Sequence, residues 1–266
     1  MSTAPAPTPD LSGRRAPGLG GFNPTALRLE VRRMLRNRRT IIITMIAPVF
    51  LFLILGLNTS DEHVVYGHGN YAAFVMISLM LYGAVFATSN AGAAVSIERA
   101  QGWSRQLRLT PLSSAAYIVM KVLAALVLGL GPVVIVSLAG LATHRASMPG
   151  YLWIVSPLCV WVASPLFAVF GLFVGYLLPP ENVTQLLGLI LTLLAFAGGL
   201  FVPLSLLPGG VQAIAKWTPE YGLNQLVHAP LLGHGVEWTW VVNVIAWLAI
   251  FAGGAIWRFG KDTARV

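Results

Sequence analysis

Six apolar runs govern what this 266-residue chain can become. They cover about Thr40 to Leu57, Tyr71 to Ser96, Ala115 to Thr143, Tyr151 to Leu178, Val183 to Val202 and Trp238 to Trp257. Lys121, near one end of the third, is their only Asp, Glu, Lys, Arg or His. A helix of about twenty apolar residues, rising about 1.5 Å per residue, spans the hydrocarbon core of a bilayer. With 56% hydrophobic and 10% charged residues, the chain has too little polar surface for a water-soluble globule. The expected fold class is an all-α membrane protein with six transmembrane helices.

The segments outside the runs set the domain organisation. Residues 1–22, rich in Ala, Pro, Gly, Ser and Thr without apolar periodicity, read as a disordered tail. Residues 23–39 read as an interfacial helix, with Asn23 as cap and Pro24 in the first turn. Leu27, Val31, Met34 and Leu35 share one face, and arginines fill the rest. The six-span domain covers 40–258, and 259–266 form a second tail. Pro48 and Gly129-Leu130-Gly131-Pro132 predict a kink or partial unwinding, and Gly171-x3-Gly175 allows close helix approach. Between spans 5 and 6, residues 203–237 are too broken to cross but keep helical apolar patches. They predict two short amphipathic helices in a hairpin dipping into the outer leaflet.

Charge orients the chain. Net charge is +8, and with six spans and both termini inside, fifteen of the seventeen basic residues face the cytoplasm, leaving Arg145 and Lys216 outside. The basic residues flank spans and form no separate block, which points to topology and anionic lipid rather than nucleic acid. His63, His68, His144, His228 and His234 all fall outside, without metal-ligand spacing, and read as solvated loop residues. The single cysteine, Cys159, forms no internal disulfide.

The longest charged segment between spans runs from Glu98 to Leu112, after span 2. It reads as a short helix at the membrane surface, either a docking surface for a soluble partner or a solvated connection. Thr110-Pro111 should end it, because the residue before proline avoids the helical region. The chain has no Gly-x4-Gly-Lys-Ser/Thr sequence, so any use of ATP needs a partner. The spans lack the ionisable relays of ion-coupled transporters, and no intramembrane histidine is expected to activate Ser78, Ser89, Ser137, Ser156 or Ser164 as a nucleophile. Phe74, Tyr82, Phe86, Asn90, Phe196 and Phe201 give the spans an uncharged, aromatic lining that suits lipid-like cargo, with ordinary helix packing as the alternative.

Glu98, Gly102, Leu107, Thr110, Pro111, Leu112 and Ser113, followed by Lys121, form a pattern that resembles the cytoplasmic segment of ABC-2-type transporter permeases. In outline the resemblance extends from about Thr25 to the end of the chain, and it is nearest to drug and lipid exporters of the daunorubicin-resistance kind. It implies the membrane subunit of a half-transporter, in a bacterial cell (inner) membrane, with a coupling helix after span 2 and an outer-leaflet hairpin. It implies a second permease copy, pairing largely through spans 1 and 5, and a separate ATPase subunit carrying ATP and Mg, with no cofactor or metal on this chain. Glu98, Gly102, Trp103, Leu107, Thr110 and Pro111 are the implied coupling residues, with no catalytic residue. The chain departs from the family pattern at Ala100, where an acid is common, at Trp103, where a threonine is, and at Met120, where a glycine precedes Lys121. An amphipathic drug, natural product or lipid-like molecule is the implied cargo; a polysaccharide or glycolipid exporter, or a non-transporting anchor for an ATPase, are the alternatives. On this reading Glu98→Ala is expected to leave folding intact and uncouple transport.

Overall fold

The computed structural model describes residues 18–57, 65–103, 110 and 112–264, and helices dominate them. Helix α1 (Pro24–Leu35) begins as its sequence dictates, with Asn23 Oδ1 accepting from Thr25 N at 2.8 Å and Pro24 in the first turn. Its apolar residues Leu27, Val31 and Met34 pack on Ala91, Ala124, Ala125 and Ala168, so the helix docks on the bundle. Helix α2 (Arg38–Leu57) contains Pro48. Helices α3 (Tyr71–Ala93) and α4 (Val95–Ala100) follow each other as one 30-residue stretch. Helix α5 (Ser114–Thr143) is followed by α6 (Leu152–Ala163) and α7 (Pro165–Leu177), which meet at Ser164 ahead of a proline. Helices α8 (Pro180–Ala197), α9 (Gly209–Ala215), α10 (Pro219–Leu232) and α11 (Trp238–Ala264) follow among the described residues.

Among the described residues, five stretches are long and apolar enough to cross a membrane: Tyr71–Ala100, Ser114–Thr143, Leu152–Leu177, Pro180–Ala197 and Trp238–Lys261. Ile41–Gly56 is apolar but shorter. The protein is an all-α, multi-pass membrane protein. Its α3–α4 stretch is 89% buried, against 22% for Pro180–Ala197 and 17% for Trp238–Lys261, and is therefore the axis on which the other helices pack.

Small residues let helices close on this axis. A Cβ at Gly171 would lie 2.0 Å from Ser89 O, and one at Gly92 would lie 2.3 Å from Ala168 O, so α3 and α7 touch backbone to backbone. The Gly171-x3-Gly175 pattern thus marks a true close approach. Ser89 Oγ donates to Phe167 O across the same contact at 3.1 Å. Pro48 and Pro132 both pack on Gly83, where a Cβ would meet their rings at 2.8 and 2.6 Å. Helix α5 runs through Pro132 without the unwinding its sequence predicts.

Both expected tails are partly structured. Gly18–Gly21 forms a 3-10 turn whose Gly20 carbonyl accepts from Ser113 N at 2.8 Å, so the tail to residue 22 is curtailed. At the other end α11 runs on to Ala264, held where Phe259 stacks on Tyr117 with ring centroids 5.4 Å apart. Two short strands, β1 (Val65–Tyr66) and β2 (Gly69–Asn70), pair antiparallel before α3. Asn70 Oδ1 caps α3 through Ala73 N and also accepts from Ser147 N, each at 3.0 Å. The hairpin between α8 and α11 contains the two short helices expected, α9 and α10, preceded by a 3-10 turn at Leu204–Leu206.

Candidate functional site

Glu98 is 4% exposed and lies in α4, continuous with the central stretch rather than on a separate surface helix. Gln101 N and Gly102 N close the last turn on Ile97 O and Arg99 O, and Gly102 then takes φ 76° with open space around it. That left-handed conformation favours glycine and turns the chain out of the helix. Trp103 follows, 47% exposed. Leu107 and Pro111, with Arg105 and Arg108, lie outside the described residues, and Thr110 sits in an exposed turn. Ser113, also part of the motif, caps α5 by accepting from Ala116 N at 3.2 Å.

Around Glu98 three helices converge. Lys121 Nζ of α5 donates to Glu98 Oε1 at 2.5 Å and to Glu30 Oε1 of α1 at 2.6 Å. Tyr117 of α5 donates its hydroxyl to Glu98 Oε2 at 2.8 Å. Arg33 of α1 bonds both Glu98 and Glu30. Burial lowers the Arg33 pKa while the two carboxylates raise it, and the net lies above its ordinary value. Arg99 Nη1 donates to the end of α7 at Tyr176 O, 2.8 Å away, satisfying a terminal carbonyl and meeting the negative end of the helix dipole. A cleft of about 410 Å³, lined by Leu29, Gln101, Trp103, Met120 and the charged cluster, opens beside it.

This burial changes the expectation for Glu98→Ala, because removing the carboxylate strands Lys121, itself 4% exposed, inside the protein. Glu30 and Tyr117 were not among the residues read from sequence, and Arg33 was read only as one of the arginines of the interfacial helix. The signals were there: Glu30 is the lone acid of a basic helix, and Tyr117 and Lys121 stand four apart on one helical face.

The family model of the ABC-2 type transporter matches residues 25–229. The chain belongs to that family. It is also 22% identical over 227 residues to "Putative transport permease YvfS" of Bacillus subtilis (strain 168), covering 84% of this chain and 90% of that protein. The resemblance read from Glu98, Gly102 and Thr110 is therefore correct at family level. An ABC-2 permease is a membrane subunit of a transport system and not itself an enzyme.

Four of the aromatic residues expected along a cargo path come together in this permease. Tyr82 lies 6.1 Å from Phe86 and 5.2 Å from Phe201, and Phe201 lies 5.0 Å from Phe196. Tyr82 Oη and Thr192 Oγ1 of α8 are 3.3 Å apart. Asn90 donates to Phe86 O of its own helix at 2.8 Å. Phe74 belongs elsewhere, 4.4 Å from the His228 ring and 5.0 Å from Tyr66.

His228 corrects two expectations. It is 2% exposed rather than solvated, and its Nε2 lies 3.1 Å from Ser78 Oγ, so a serine of the central helix does have a buried histidine beside it. The Nδ1–H donates to Asn224 O at 2.9 Å, fixing the ring, and burial pushes its pKa down to about 4. The pair ties the hairpin to α3. Glu220, in the first turn of α10, was also missed. It is 1% exposed, no partner reaches either carboxyl oxygen among the described residues, and burial raises its pKa to about 8. No cluster of three or more metal-ligating side chains occurs among the described residues.

Proposed function

We propose that this permease is the membrane-spanning subunit of an ATP-driven exporter of an amphipathic drug, natural product or lipid-like molecule. It works as a pair of permease copies, each bound to a separate ATPase subunit that holds ATP and Mg. Ile41–Gly56 serves as the first of six spans, and both termini lie in the cytoplasm of a bacterial cell. The aromatic group of Tyr82, Phe86, Phe196 and Phe201 faces cargo, together with Asn90. Exposed Leu186, Leu189 and Leu193 on α8 offer a surface for the second copy.

The observation that carries this reading is the Glu98 cluster. It fastens the root of the segment after span 2 to α1 and α5 through paired charges, while Trp103 projects 47% exposed just beyond. A push delivered by an ATPase on Trp103 and the following residues therefore moves three helices as one body. Such a push shifts the transporter only by the difference in contacts between its two states.

The test is ATP-driven uptake of a fluorescent amphiphile into inside-out vesicles containing the permease and its ATPase. Trp103→Ala is expected to preserve folding and the ATPase's basal hydrolysis while cutting transport about tenfold. Unchanged transport by a well-folded Trp103→Ala protein would remove this residue from the coupling path. Pulldowns that recover no ATP-hydrolysing subunit would overturn the exporter reading itself.

A further inference from the structure

Arg99 of α4 and Arg258 of α11 reach the same end of α7, donating to Tyr176 O from Nη1 at 2.8 Å and from Nη2 at 3.4 Å. Lys261, one turn beyond Arg258, holds its ammonium 4.0 Å from the centroid of the Trp257 ring, and Trp257 is 56% exposed. The apolar stretches Leu152–Leu177 and Trp238–Lys261 both stop here, so this basic group stands at the level of lipid headgroups, where tryptophan is also favoured. Neither Arg258 nor Lys261 is in an ion pair among the described residues. Glu98, next to Arg99 in the chain, is already taken by Lys121 and Arg33. The negative end of the α7 dipole, about half an elementary charge, draws cations in but cannot balance Arg258 and Lys261. A cleft of about 400 Å³ opens on the α4 side, with Leu177, Leu178, Pro179 and Pro180 as an apolar wall. Arg99 is the only charged side chain among its described lining residues. Basic groups above an apolar wall match a phosphate with an acyl chain below it.

We propose that this end of α7 holds one anionic phospholipid, with its phosphate toward Arg258, Lys261 and Arg99 and an acyl chain along Trp257 and Leu177. Basic residues at span ends attract such lipids diffusely. Here basic residues from two helices, an exposed tryptophan and a cleft combine into a site. Bound there, the lipid joins α4 to α11 and extends the ionic joint around Glu98. It is a resident neighbour of the permease and not cargo, so the proposal goes beyond the export reading. Binding is measured without ATP or ATPase, so failure of driven export and failure of lipid binding are separate results.

The experiment is native mass spectrometry of the full chain in dodecyl maltoside, titrated with dioleoyl phosphatidylglycerol or dioleoyl phosphatidylethanolamine. Phosphatidylglycerol is expected to saturate as one retained lipid per chain, about tenfold more tightly than phosphatidylethanolamine. Lys261→Gln, a change at an exposed side chain, should weaken that binding about fivefold, the weight of one basic residue at a membrane surface. Lys261→Gln with Arg258→Gln should weaken it about twentyfold. Arg28→Gln with Arg36→Gln removes the same charge from exposed positions of α1 and should leave binding unchanged. Equal retention of the two lipids, a Lys261→Gln chain that binds like the parent, or an α1 pair as damaging as the α11 pair would overturn the proposal. Lys261→Gln decides even where the double variant fails to fold. Excess inorganic phosphate should not displace the lipid, and displacement would overturn the lipid as occupant by assigning the site to free phosphate.

Discussion

Glu98 and Glu220 sit at opposite ends of the bundle, 4% and 1% exposed, in contrary surroundings. Glu98 receives Lys121, Arg33 and the Tyr117 hydroxyl. Glu220 receives nothing among the described residues, and its side-chain carbons lie where a Cβ on Gly198 would touch them at 2.6 Å. A buried carboxylate with two cations is costly to separate from either, because the desolvation of each charge is offset only while all partners stay together. A carboxyl group without partners stays protonated at neutral pH and behaves as a neutral packing group. One end is therefore a stiff ionic joint among α1, α4 and α5. The other is a hairpin held by apolar contact and neutral hydrogen bonds, which can shift without exposing paired charge. On the export reading, force enters where the protein is stiff and cargo leaves where it yields.

The contrast breaks most directly at Glu98. Glu98→Ala is expected to destabilise the permease by about 3–5 kcal/mol, seen as lost monodisperse protein and a lowered thermal midpoint. A Glu98→Met, Lys121→Met double variant should recover most of that loss, since apolar replacements remove both buried charges at once, but should not recover transport. A single variant as stable as the parent would show that the joint is not ionic in the folded protein.

At the hairpin the expected effect is smaller and depends on pH. The Glu220 carboxyl rises from 4.5 to about 8 on folding, so the folded state holds a proton the unfolded chain releases, and stability falls as pH climbs from 4.5 toward 8. His228 falls from 6.5 to about 4, so its contribution is complete above pH 6.5 and is lost as pH drops toward 4. The two slopes cancel between 4.5 and 6.5, leaving a plateau with a decline above it. Glu220→Gln should remove the decline between 6.5 and 8, read as thermal midpoint against pH. A decline that persists in that variant would place the titrating group elsewhere.

How much of this was legible in the sequence differs between the two ends for a physical reason. The apolar runs, the Asn23 cap with Pro24 and the Gly171-x3-Gly175 contact are local or periodic features, and all three are found in the structure. The motif from Glu98 pointed to the right family, but not to the burial of Glu98. That depends on Glu30 and Arg33, more than sixty residues away, being brought in by α1. The hairpin was legible as two amphipathic helices, but an alternating polar pattern cannot say which polar residue turns inward. His228 read as a solvated loop residue because it falls outside the apolar runs, and Glu220, one acid in a broken polar segment, carried no signal of its own. The packing of α10 against α3, α6, α11 and the end of α8 buries them. The tail boundaries shifted for a similar reason, since Gly20 and Phe259 are ordered by contacts with residues 113 and 117.

The smallest expected effect sharpens the contrast most finely. Ser78→Ala removes one neutral hydrogen bond between α3 and α10, and His228 Nε2 loses its hydroxyl donor while Nδ1–H keeps Asn224 O. A loss of about 1 kcal/mol follows for such a bond. If the hairpin opens as its own unit, hydrogen exchange at α10 amides should quicken about fivefold, while amides of α1 and α5 near Glu98 keep their rates. Equal quickening at both ends would mean that the hairpin and the ionic joint open together. The permease would then transmit movement along α3 as a rigid rod, and the division into a stiff end and a yielding end would fail.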